Sequence, residues 1–487
     1  MSSKILIDAI DTEDCRIAKV IDTKLEEFHI ESSGRESIHG NIYKAVIAHI
    51  EPSLQAAFVD FGSERHGFLQ KQEIHSDYFQ DNLSKGRSIL KMIKRGQELL
   101  VQVTKDPHMK KGAMLTTYIS LPGRHLVLMP GIDKRGISRK IEDEDERNRL
   151  KSIVGKLKIP EGFGLIVRTA GIHSKKTHLS KDLRYLLRLW KNIKKNIMKV
   201  QAPALLYKEQ NLVLRSIRDY FTLDVTEVLI NDVAVHREVK DFVKIISPKH
   251  TKIVKHYKED RPIFTKYQLE DQISSIYRSR VKLKSGGSIV IAQTEALVSI
   301  DVNSGKATQK KSIEQTALQT NIEAAEEIAR QLRLRDLGGL VVIDFIDMRD
   351  SKHKTEVERA AKRNLKSDKA KTKISRISQF GLMEMSRQRL RPSIESSSFQ
   401  PCSHCKGKGM IPSIEMLALD FLRQLRLETL KNKISSVKGI VPSGVADYLL
   451  NKKRKEILDL EERRGLSITI EGDDTIIPGM SKVVREK

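Results

Sequence analysis

Two aspartates each close a short apolar run and together could hold a metal ion. Asp301 ends the run Leu-Val-Ser-Ile, and Asp344 ends the run Leu-Val-Val-Ile. Two carboxylates that lie close together repel each other, so they share a proton or bind a cation, and hard oxygen ligands suit hydrated magnesium. A magnesium site indicates phosphate chemistry. The alternative is that Asp301 only begins a turn through Asn303 and Gly305, while Asp344 ends a core strand.

The segment between the two aspartates predicts how they are positioned. Both runs are rich in β-branched residues and bounded by glycine, which is typical of buried strands. The apolar residues Ile322, Ala325 and Ile328 between them recur at helical spacing, and Thr320 with Glu323 has the pattern of a capping box that would begin the helix. A strand, a helix and a strand of this length place two parallel strands side by side. We therefore expect Asp301 and Asp344 at the same sheet edge.

The composition predicts a multidomain protein with a polyanionic partner. The chain has 487 residues with 88 Lys and Arg against 63 Asp and Glu, which gives a net charge of +25. This length predicts three to five domains, and the basic balance favours nucleic acid or an anionic membrane. The alternative is a basic surface that only faces solvent.

The amino terminus and the cysteines predict a cytoplasmic protein. The sequence Met-Ser-Ser-Lys-Ile-Leu-Ile-Asp lacks the apolar core of a signal peptide, and no apolar stretch approaches the length of a membrane span. Three cysteines in so long a chain argue against a secreted disulfide framework.

Residues 37–118 have the pattern of a small OB-type β-barrel that could bind single-stranded nucleic acid. Short strands alternate with glycine turns. Phe58 and Phe68 lie near Lys105 and Lys111 in this segment, and aromatic faces beside cations are what single-stranded nucleic acid stacks on. The alternative is that the rings belong to the barrel core.

Residues 119–209 form a mixed α/β segment with candidate phosphate ligands. Strand-like runs begin at Gly123, Gly136 and Gly162, and the last of them ends in Arg168-Thr169. A strand end with Arg-Thr and glycine can present a guanidinium, a hydroxyl and bare backbone N–H groups to a phosphate. An Arg-Thr pair is otherwise only a polar strand end. The segment closes with an amphipathic helix around 183–190 that carries a basic face.

We expect residues 1–36 and 210–277 to build one sheet, into which the segments 37–118 and 119–209 are inserted. The run that starts at Asn211 is predicted to be a strand. Residues 278–398 hold the two aspartates. They begin with a hairpin at a Gly-Gly turn and continue past the aspartates into a very basic helix from Val357 to Lys373.

Cys402 and Cys405 have the spacing of half a zinc site. Tetrahedral zinc needs four ligands, and no second C-x-x-C occurs in the chain. We therefore expect residues 399–412 to form a zinc link in which two chains each supply both cysteines, which predicts a homodimer or homotetramer. The alternative is a redox pair. The remaining residues, 413–487, are expected to form a small, mostly helical assembly domain with a short strand near residues 466–470.

Several motifs of the chain resemble those of the ribonuclease E/G family from end to end. They are Gly40-Asn-Ile-Tyr-Lys, Ala56-Ala-Phe-Val-Asp-Phe-Gly, Val167-Arg-Thr-Ala-Gly, Ile300-Asp-Val-Asn-Ser, Ala329-Arg-Gln-Leu-Arg-Leu-Arg-Asp-Leu-Gly-Gly and Ile343-Asp-Phe-Ile-Asp-Met. The length is that of the ribonuclease G branch, or of the catalytic half of the ribonuclease E branch without its scaffold tail. A stable degradosome-type assembly is therefore not expected.

The resemblance implies a fold for each segment. The class would be multidomain α+β, with a discontinuous ribonuclease H-like unit at 1–36 and 210–277. That unit would carry the OB-type barrel at 37–118 and a 5′-sensor subdomain at 119–209 as insertions. A DNase I-like catalytic domain at 278–398, a zinc knuckle and the small C-terminal domain would follow.

The resemblance also implies a magnesium-dependent endoribonuclease that cuts single-stranded RNA and prefers a 5′-monophosphate, acting in rRNA and tRNA processing and in mRNA decay. The catalytic roles that it implies are Asp301 and Asp344 as magnesium ligands and Asn303 as the residue that positions Asp301 or the scissile phosphate. Cys402 and Cys405 would be zinc ligands, and Phe58, Phe68 and Lys111 would contact RNA, to which we add Lys105 from its place near the rings. The 5′-phosphate pocket would consist of Gly123, Val127, Arg168 and Thr169, with Arg139 close by and Lys371 on the basic helix.

One position departs from the family pattern, and two other functions stay open. Lys371 stands where the family often has an arginine, and lysine keeps the charge but loses the bidentate fork, so monophosphate discrimination is expected to be weaker. The rival functions are a non-catalytic RNA-binding or assembly protein on the same fold and a phosphoesterase that cuts DNA.

Overall fold

The computed structural model describes residues 2–11, 14–32, 37–80, 88–107, 111–222, 224–305, 312–391, 393–430 and 435–486. The chain divides into two compact units, Met1–Ile394 and Glu395–Lys487. Strands and helices are mixed in both units, so the protein is a multidomain α+β protein, as predicted.

The first unit opens with three strands, β1 (Ser3–Asp8), β2 (Asp14–Ile21) and β3 (Lys24–Ser32). β1 pairs antiparallel with β2, and β2 pairs antiparallel with β3. β1 is buried on both faces, because Ile5 and Ile7 enter one apolar core while Leu6 enters another. A strand of this kind needs neighbours on both of its edges, and its second neighbour comes from much later in the chain.

A closed barrel follows. Its strands are β4 (Ile42–Glu51), β5 (Ala56–Asp60), β6 (Gly67–Gln70), β7 (Glu98–Lys105) and β8 (Met114–Thr116). They pair in the order β4-β5-β6-β8-β7, and β7 pairs back onto β4 to close the barrel. Alternate residues such as Ile47, Val59 and Val101 fill the interior.

The next subdomain packs two helices on a small sheet. Its elements are β9 (Leu121–Pro122), β10 (Leu126–Pro130), β11 (Arg135–Ile137), α1 (Glu144–Gly155), β12 (Phe163–Val167), α2 (Lys176–Ile197) and β13 (Ala204–Tyr207). The sheet order is β11-β12-β10-β9, while β13 leaves it and pairs with β4 of the barrel. The subdomain and the barrel are therefore joined by backbone hydrogen bonds.

The chain then returns to the opening sheet through α3 (Leu212–Tyr220), β14 (Val225–Ile230), α4 (Val233–Ile246), β15 (Val254–His256), α5 (Ile263–Lys266) and α6 (Glu270–Ile276). β14 pairs parallel with β1, which gives the order β15-β14-β1-β2-β3. The strand expected from Asn211 is wrong: this run is α3, because Asn211 caps it by accepting from the Leu214 N–H, and Val213 and Ile217 are buried one turn apart.

The two aspartates lie in a six-stranded sheet with two helices. Its elements are β16 (Arg280–Lys282), β17 (Ser288–Gln293), β18 (Leu297–Asn303), α7 (Ile313–Leu334), β19 (Gly339–Asp344), α8 (Ser351–Leu365), β20 (Thr372–Ile374) and β21 (Leu382–Arg387). The order is β16-β17-β18-β19-β21-β20, and β18 and β19 pair in parallel. The predicted strand, helix and strand are confirmed.

Two predicted helix boundaries in this sheet are wrong. The capping-box pattern at Thr320 does not begin α7, because Ser312 caps the helix by accepting from the Gln315 N–H and Thr320 is buried in the helix interior. The basic helix expected over 357–373 is α8, which begins at Ser351 and ends at Leu365, since Asp350 caps it and residues 372–374 form β20.

The second unit follows a short helix at the boundary, α9 (Ile394–Ser398). It contains α10 (Ile414–Glu428), β22 (Ser436–Val441), α11 (Ser443–Lys452), α12 (Arg454–Arg464), β23 (Ser467–Gly472) and β24 (Lys482–Glu486). The sheet order is β23-β22-β24, so the unit holds more strand than the single one expected near residues 466–470. None of the helices in the described ranges is long and apolar enough to cross a membrane.

Candidate functional site

Asp301 and Asp344 lie side by side at one edge of the sheet. They are register partners on the parallel strands β18 and β19, and both are exposed, while Ile300 and Ile343 before them point into the core. Asn303 lies on the same face as Asp301, two residues further along the strand. Its Nδ2 donates to Asp301 Oδ2 over 2.7 Å. One oxygen of Asp301 is thus held in place.

Helix α7 fixes the loop that follows Asp344. The buried Asn321 side chain donates to the Ile346 carbonyl over 2.8 Å and accepts from the Ile346 N–H over 3.0 Å. Near the start of the same helix, Glu314 accepts from the N–H groups of Arg349 and Asp350. Side chains of one helix therefore pin the backbone of the loop at two points.

The charges at this edge favour a bound cation. Burial raises the pKa of Asp344, and the negative charges of Asp301 and Asp347 raise it further. In the described ranges, no three His, Cys, Asp or Glu side chains lie together as a complete metal site. Magnesium is commonly bound by one or two carboxylates and keeps water or substrate phosphate as its other ligands, so the pair fits that ion. Asp347, which the sequence shows three residues after Asp344, was absent from the predicted site.

Arg168 at the end of β12 is held by two oxygen atoms. Its Nη1 donates to the Gly123 carbonyl and its Nη2 to Asp219 Oδ1, each over 2.7 Å. Burial acts to raise the pKa of Asp219, but the charges of Arg168, Arg218 and Lys369 hold it well below its usual range. Asp219 therefore stays ionised as the partner of Arg168.

Residues 123–126, which we call the Gly123 loop, are held in place by a carboxylate. Asp182 on α2 accepts from the N–H groups of Arg124, His125 and Leu126, at 3.3, 2.8 and 2.9 Å. The Gly123 N–H donates to the Leu126 carbonyl. The bare N–H groups expected at this loop are therefore already used inside the protein.

Within the described ranges, no side-chain hydrogen bond joins the other predicted pocket residues to Arg168. Val127 is half-buried on β10, Thr169 is exposed where a 3-10 turn begins, and Arg139 and Lys371 are exposed. Lys140, next to Arg139, donates to the carbonyls of Asp368 and Ala370 over 2.7 and 3.1 Å. This contact brings the segments that carry Arg139 and Lys371 together.

Lys369 is a member of this cluster that the sequence did not indicate. Although the residue as a whole is exposed, its Nζ donates to the Asp219 carbonyl over 2.8 Å and lies 2.9 Å from the centre of the Tyr220 ring. Burial, with the positive charges of Arg168 and Arg391, lowers the pKa of Lys369 to about 7 against the attraction of Asp219 and Glu27. Only tertiary contacts join Lys369 and Asp219, which lie 150 residues apart.

The predicted RNA-contact residues form a row across the outside of the barrel. Phe58 is the register partner of Phe68, Phe68 of Met114, and Met114 of Lys105. The two rings are half-buried and meet edge to face at 5.7 Å. Lys111 is exposed just before β8. A base could reach this row, whereas the nearby Phe61 belongs to the barrel core.

Cys402 and Cys405 sit in a tight turn in the second unit. The Lys406 N–H donates to the Cys402 carbonyl over 2.8 Å, and φ is positive at Lys406, Gly407 and Gly409. The backbone N–H groups of Gly409 and Gly407 lower the pKa of the Cys405 thiol. A turn that bends N–H groups toward a thiol suits a metal-bound thiolate, and two thiols supply half of a tetrahedral zinc site.

Three family models match the chain. Residues 37–116 match the S1 RNA binding domain, residues 120–390 the Ribonuclease E/G family, and residues 401–486 the model described as RNase E/G, Thioredoxin-like domain. The S1 match coincides with the closed barrel, and the second match includes both aspartates.

Named relatives cover nearly the whole chain. Ribonuclease E of Haemophilus influenzae is 48% identical over 470 residues, which are 96% of this chain and 50% of the relative. Ribonuclease E of Escherichia coli is 47% identical over 95% of this chain and 44% of its own length. Ribonuclease G of Escherichia coli is 36% identical over 87% of this chain and 88% of its own.

The chain thus spans about half the length of the ribonuclease E relatives and most of the length of the ribonuclease G relative. Its matches extend from the barrel through the aspartate pair to the second unit. We conclude that the chain belongs to the ribonuclease E/G family.

Proposed function

We propose that the protein is a magnesium-dependent endoribonuclease that cuts single-stranded RNA. The observation that carries the proposal is the register pair of Asp301 and Asp344, with Asn303 bonded to Asp301. Membership of the ribonuclease E/G family and the S1 match of the barrel support it. The DNase I-like description of this sheet and the ribonuclease H-like description of the opening sheet are part of the same proposal.

Asp301 and Asp344 would hold the ion, while Asn303 keeps Asp301 in position. A magnesium ion bound there would polarise the scissile phosphate and lower the pKa of an attacking water. Hydrolysis adds water across the P–O bond and leaves a 3′-hydroxyl and a 5′-phosphate. The exposed row on the barrel, with Phe58 and Phe68 at its centre, would hold unpaired bases by stacking.

The cluster around Arg168 would recognise a 5′-monophosphate. A guanidinium has five N–H donors, and Arg168 uses two of them on Gly123 and Asp219, so donors remain for a phosphate oxygen. The hydroxyl of Thr169 is exposed beside it, and Arg139 and Lys371 would add positive charge from the joined segments. Because Lys371 is a lysine, we expect a modest preference over other 5′ ends.

Two chains would share one zinc ion through Cys402 and Cys405, so the working form would be a homodimer or homotetramer. Its substrates would be precursors of ribosomal and transfer RNA and messenger RNA. These roles extend the proposal from the site to the whole assembly.

Cleavage of one single-stranded RNA with three different 5′ ends tests the function. The RNA carries a monophosphate, a triphosphate or a hydroxyl, and the wild type is compared with Asp301→Asn and Asp344→Asn in magnesium. We expect fastest cutting of the monophosphate and a loss of at least about 100-fold in both variants, the usual size of a lost electrostatic contribution to a transition state. RNA binding should stay intact.

Each alternative has its own outcome in this experiment. Equal cutting of the three ends would remove the 5′ preference but keep the nuclease. Absence of cutting with intact binding would favour a non-catalytic RNA-binding protein. Faster cutting of DNA of the same sequence would favour a DNA phosphoesterase, and cyclic phosphate ends would exclude attack by water.

A further inference from the structure

Helix α2 carries a line of exposed cations that the proposed site does not use. Its members, which we call the α2 stripe, follow one another at spacings of three and four residues and are all exposed: Lys181, Arg184, Arg188, Lys191 and Lys195. At 3.6 residues per turn these positions share one face, and at 1.5 Å per residue they extend over about 21 Å.

In the part of the chain that the structure describes, the stripe lacks counterions. Among the described residues, none of its five side chains lies within 4.0 Å of a carboxylate. Asp182 is the only acid between residues 172 and 200, and its carboxylate is turned to the backbone of the Gly123 loop. By contrast, the cations of α12 alternate with acids such as Glu456 and Asp459. The α2 stripe is therefore a concentrated positive surface that favours an external polyanion.

The opposite face of α2 argues against a lipid partner. A basic helix binds a membrane by inserting its apolar face between the lipids. The apolar face of α2 is already buried in the core of its own subdomain through Leu179, Leu183, Leu186, Trp190 and Ile193. Only the charges remain available, and binding through charge alone suits a phosphate backbone.

The two ends of α2 lie at the two other RNA-binding elements. Near its start, Asp182 holds the Gly123 loop that also bonds Arg168. Just beyond its end, the Val200 carbonyl accepts from Lys44 of the barrel over 3.1 Å, and β13 then joins the barrel sheet. The stripe thus lies between the cluster around Arg168 and the barrel.

We propose that the α2 stripe binds the phosphate backbone of the RNA that the barrel holds. This site rests on RNA being the ligand of the proposed function, but it does not require cleavage or recognition of the 5′ end. It contacts phosphates and carries no sequence preference. It adds affinity only when the RNA is long enough to extend beyond the barrel.

The test measures binding with cleavage switched off. In the Asp301→Asn background, the stripe variant carries Lys181→Gln, Arg184→Gln, Arg188→Gln, Lys191→Gln and Lys195→Gln. The control variant removes five exposed cations from the ends of α11 and α12: Lys452→Gln, Arg454→Gln, Lys455→Gln, Arg463→Gln and Arg464→Gln. Glutamine is a good helix former, and thermal unfolding verifies that both variants fold.

Two RNAs are titrated at several salt concentrations. Both carry a 5′-hydroxyl end, so that the cluster around Arg168 does not contribute to binding. One is a long single strand, and the other has about eight nucleotides, within the range that one OB-type barrel covers. For the long RNA, we expect the stripe variant to bind about 10-fold more weakly or worse, with a salt slope smaller by about 3.5, since each of the five lost phosphate contacts removes about 0.7. Neither the control variant with the long RNA nor the stripe variant with the short RNA should change.

Several outcomes would overturn the proposal. Unchanged binding, or an equal loss in the control variant, would show that the stripe is not a site. An equal loss on the short RNA would place the effect in the barrel. Stripe-dependent binding to phosphatidylserine vesicles without an effect on RNA would assign the surface to lipid. Because binding is measured in an inactive background, a failed nuclease assay leaves this test unaffected.

Discussion

At the scale of single residues, Asn303 shows how a neutral side chain can serve a charged site. Its amide donates to Oδ2 of Asp301 and leaves the other carboxylate oxygen available to a cation. Asparagine is suited to this role, because an aspartate at the same position would add a third negative charge and could not donate when ionised.

Replacing Asn303 by Ala should slow cleavage without weakening RNA binding. Asp301 would lose its fixed orientation, and the loss of such a supporting bond typically costs about 10- to 100-fold in activity or metal affinity. The measurement is kcat as a function of magnesium concentration, in which the variant should need more magnesium for half-maximal rate. Asn303→Asp is the matched comparison, and identical magnesium curves for Asn303→Ala and the wild type would contradict the positioning role.

Lys369 predicts a pH dependence of stability. Its pKa is about 7 in the folded protein, below the value of about 10.4 for a free lysine, so between pH 7 and 10 the unfolded chain binds more protons than the folded one. Stability from this group therefore rises with pH in that window. Lys369→Met lacks this rise of stability with pH. The melting temperature of the variant minus that of the wild type should therefore be highest near pH 6 and fall toward pH 9.

Thermal unfolding across this pH range measures the effect. Lys362→Met, at an exposed position on α8, is the control and should follow the wild type at every pH. Parallel curves for Lys369→Met and the wild type would mean that the ammonium of Lys369 is not desolvated over the Tyr220 ring.

At the scale of elements, the contact between α2 and the Gly123 loop should be sensitive to a single methyl group. A Cβ at residue 123 would lie 2.7 Å from both carboxylate oxygens of Asp182, which accept three backbone N–H bonds. Gly123→Ala should therefore cost about 1–3 kcal/mol of stability, the range for a disturbed hydrogen bond of a buried group. It should also reduce the 5′-monophosphate preference, since the Gly123 carbonyl holds Arg168.

The control for this change is Gly155→Ala at the end of α1, where an added Cβ has no neighbour within 4 Å. Melting temperature and the ratio of cleavage rates for monophosphate and hydroxyl ends are measured for both variants. Equal behaviour of the two variants would show that the loop and Asp182 can move apart freely.

The elements also show what a sequence can and cannot indicate. The parallel pair of strands with Asp301 and Asp344 could be predicted, because glycine, β-branched runs and helical spacing are local signals. The predicted start of α7 is wrong because Thr320 and Glu323 also fit the interior of a longer helix, where Thr320 is buried and Glu323 accepts from the Ser285 N–H. The bond from Arg168 to Asp219 and the contact from Lys369 to Asp219 depend on tertiary packing, for which local periodicity has no signal.

At the scale of the whole molecule, the cysteine turn predicts a metal-dependent assembly. Cys402 and Cys405 give each chain two thiols suited to zinc. Cys15 is a poor candidate for a third ligand, because burial raises the pKa of its thiol to about 12. We expect about one zinc per two chains, since tetrahedral zinc takes four ligands. Cys402→Ser with Cys405→Ser should release the zinc and lower the mass in solution to that of smaller assemblies.

Metal analysis with light scattering checks this prediction, and Cys15→Ser serves as the control that should keep both the zinc and the mass. Unchanged mass after loss of the zinc would mean that other contacts hold the chains together. Zinc retained by the double variant would place the ion elsewhere.

The order of strands in the opening sheet has a consequence for synthesis on the ribosome. β1 pairs with β14, whose residues come more than 200 positions later. At about 5–20 residues per second, β1 waits roughly 10–45 s for this partner, with the backbone N–H and C=O groups of one edge unpaired. The barrel and the subdomain after it can close during that interval, because their pairings lie within residues 42–207. β1 thus leaves the ribosome well before β14, the second of its two native neighbours, and a chaperone that covers the free edge of β1 would protect it until β14 is made.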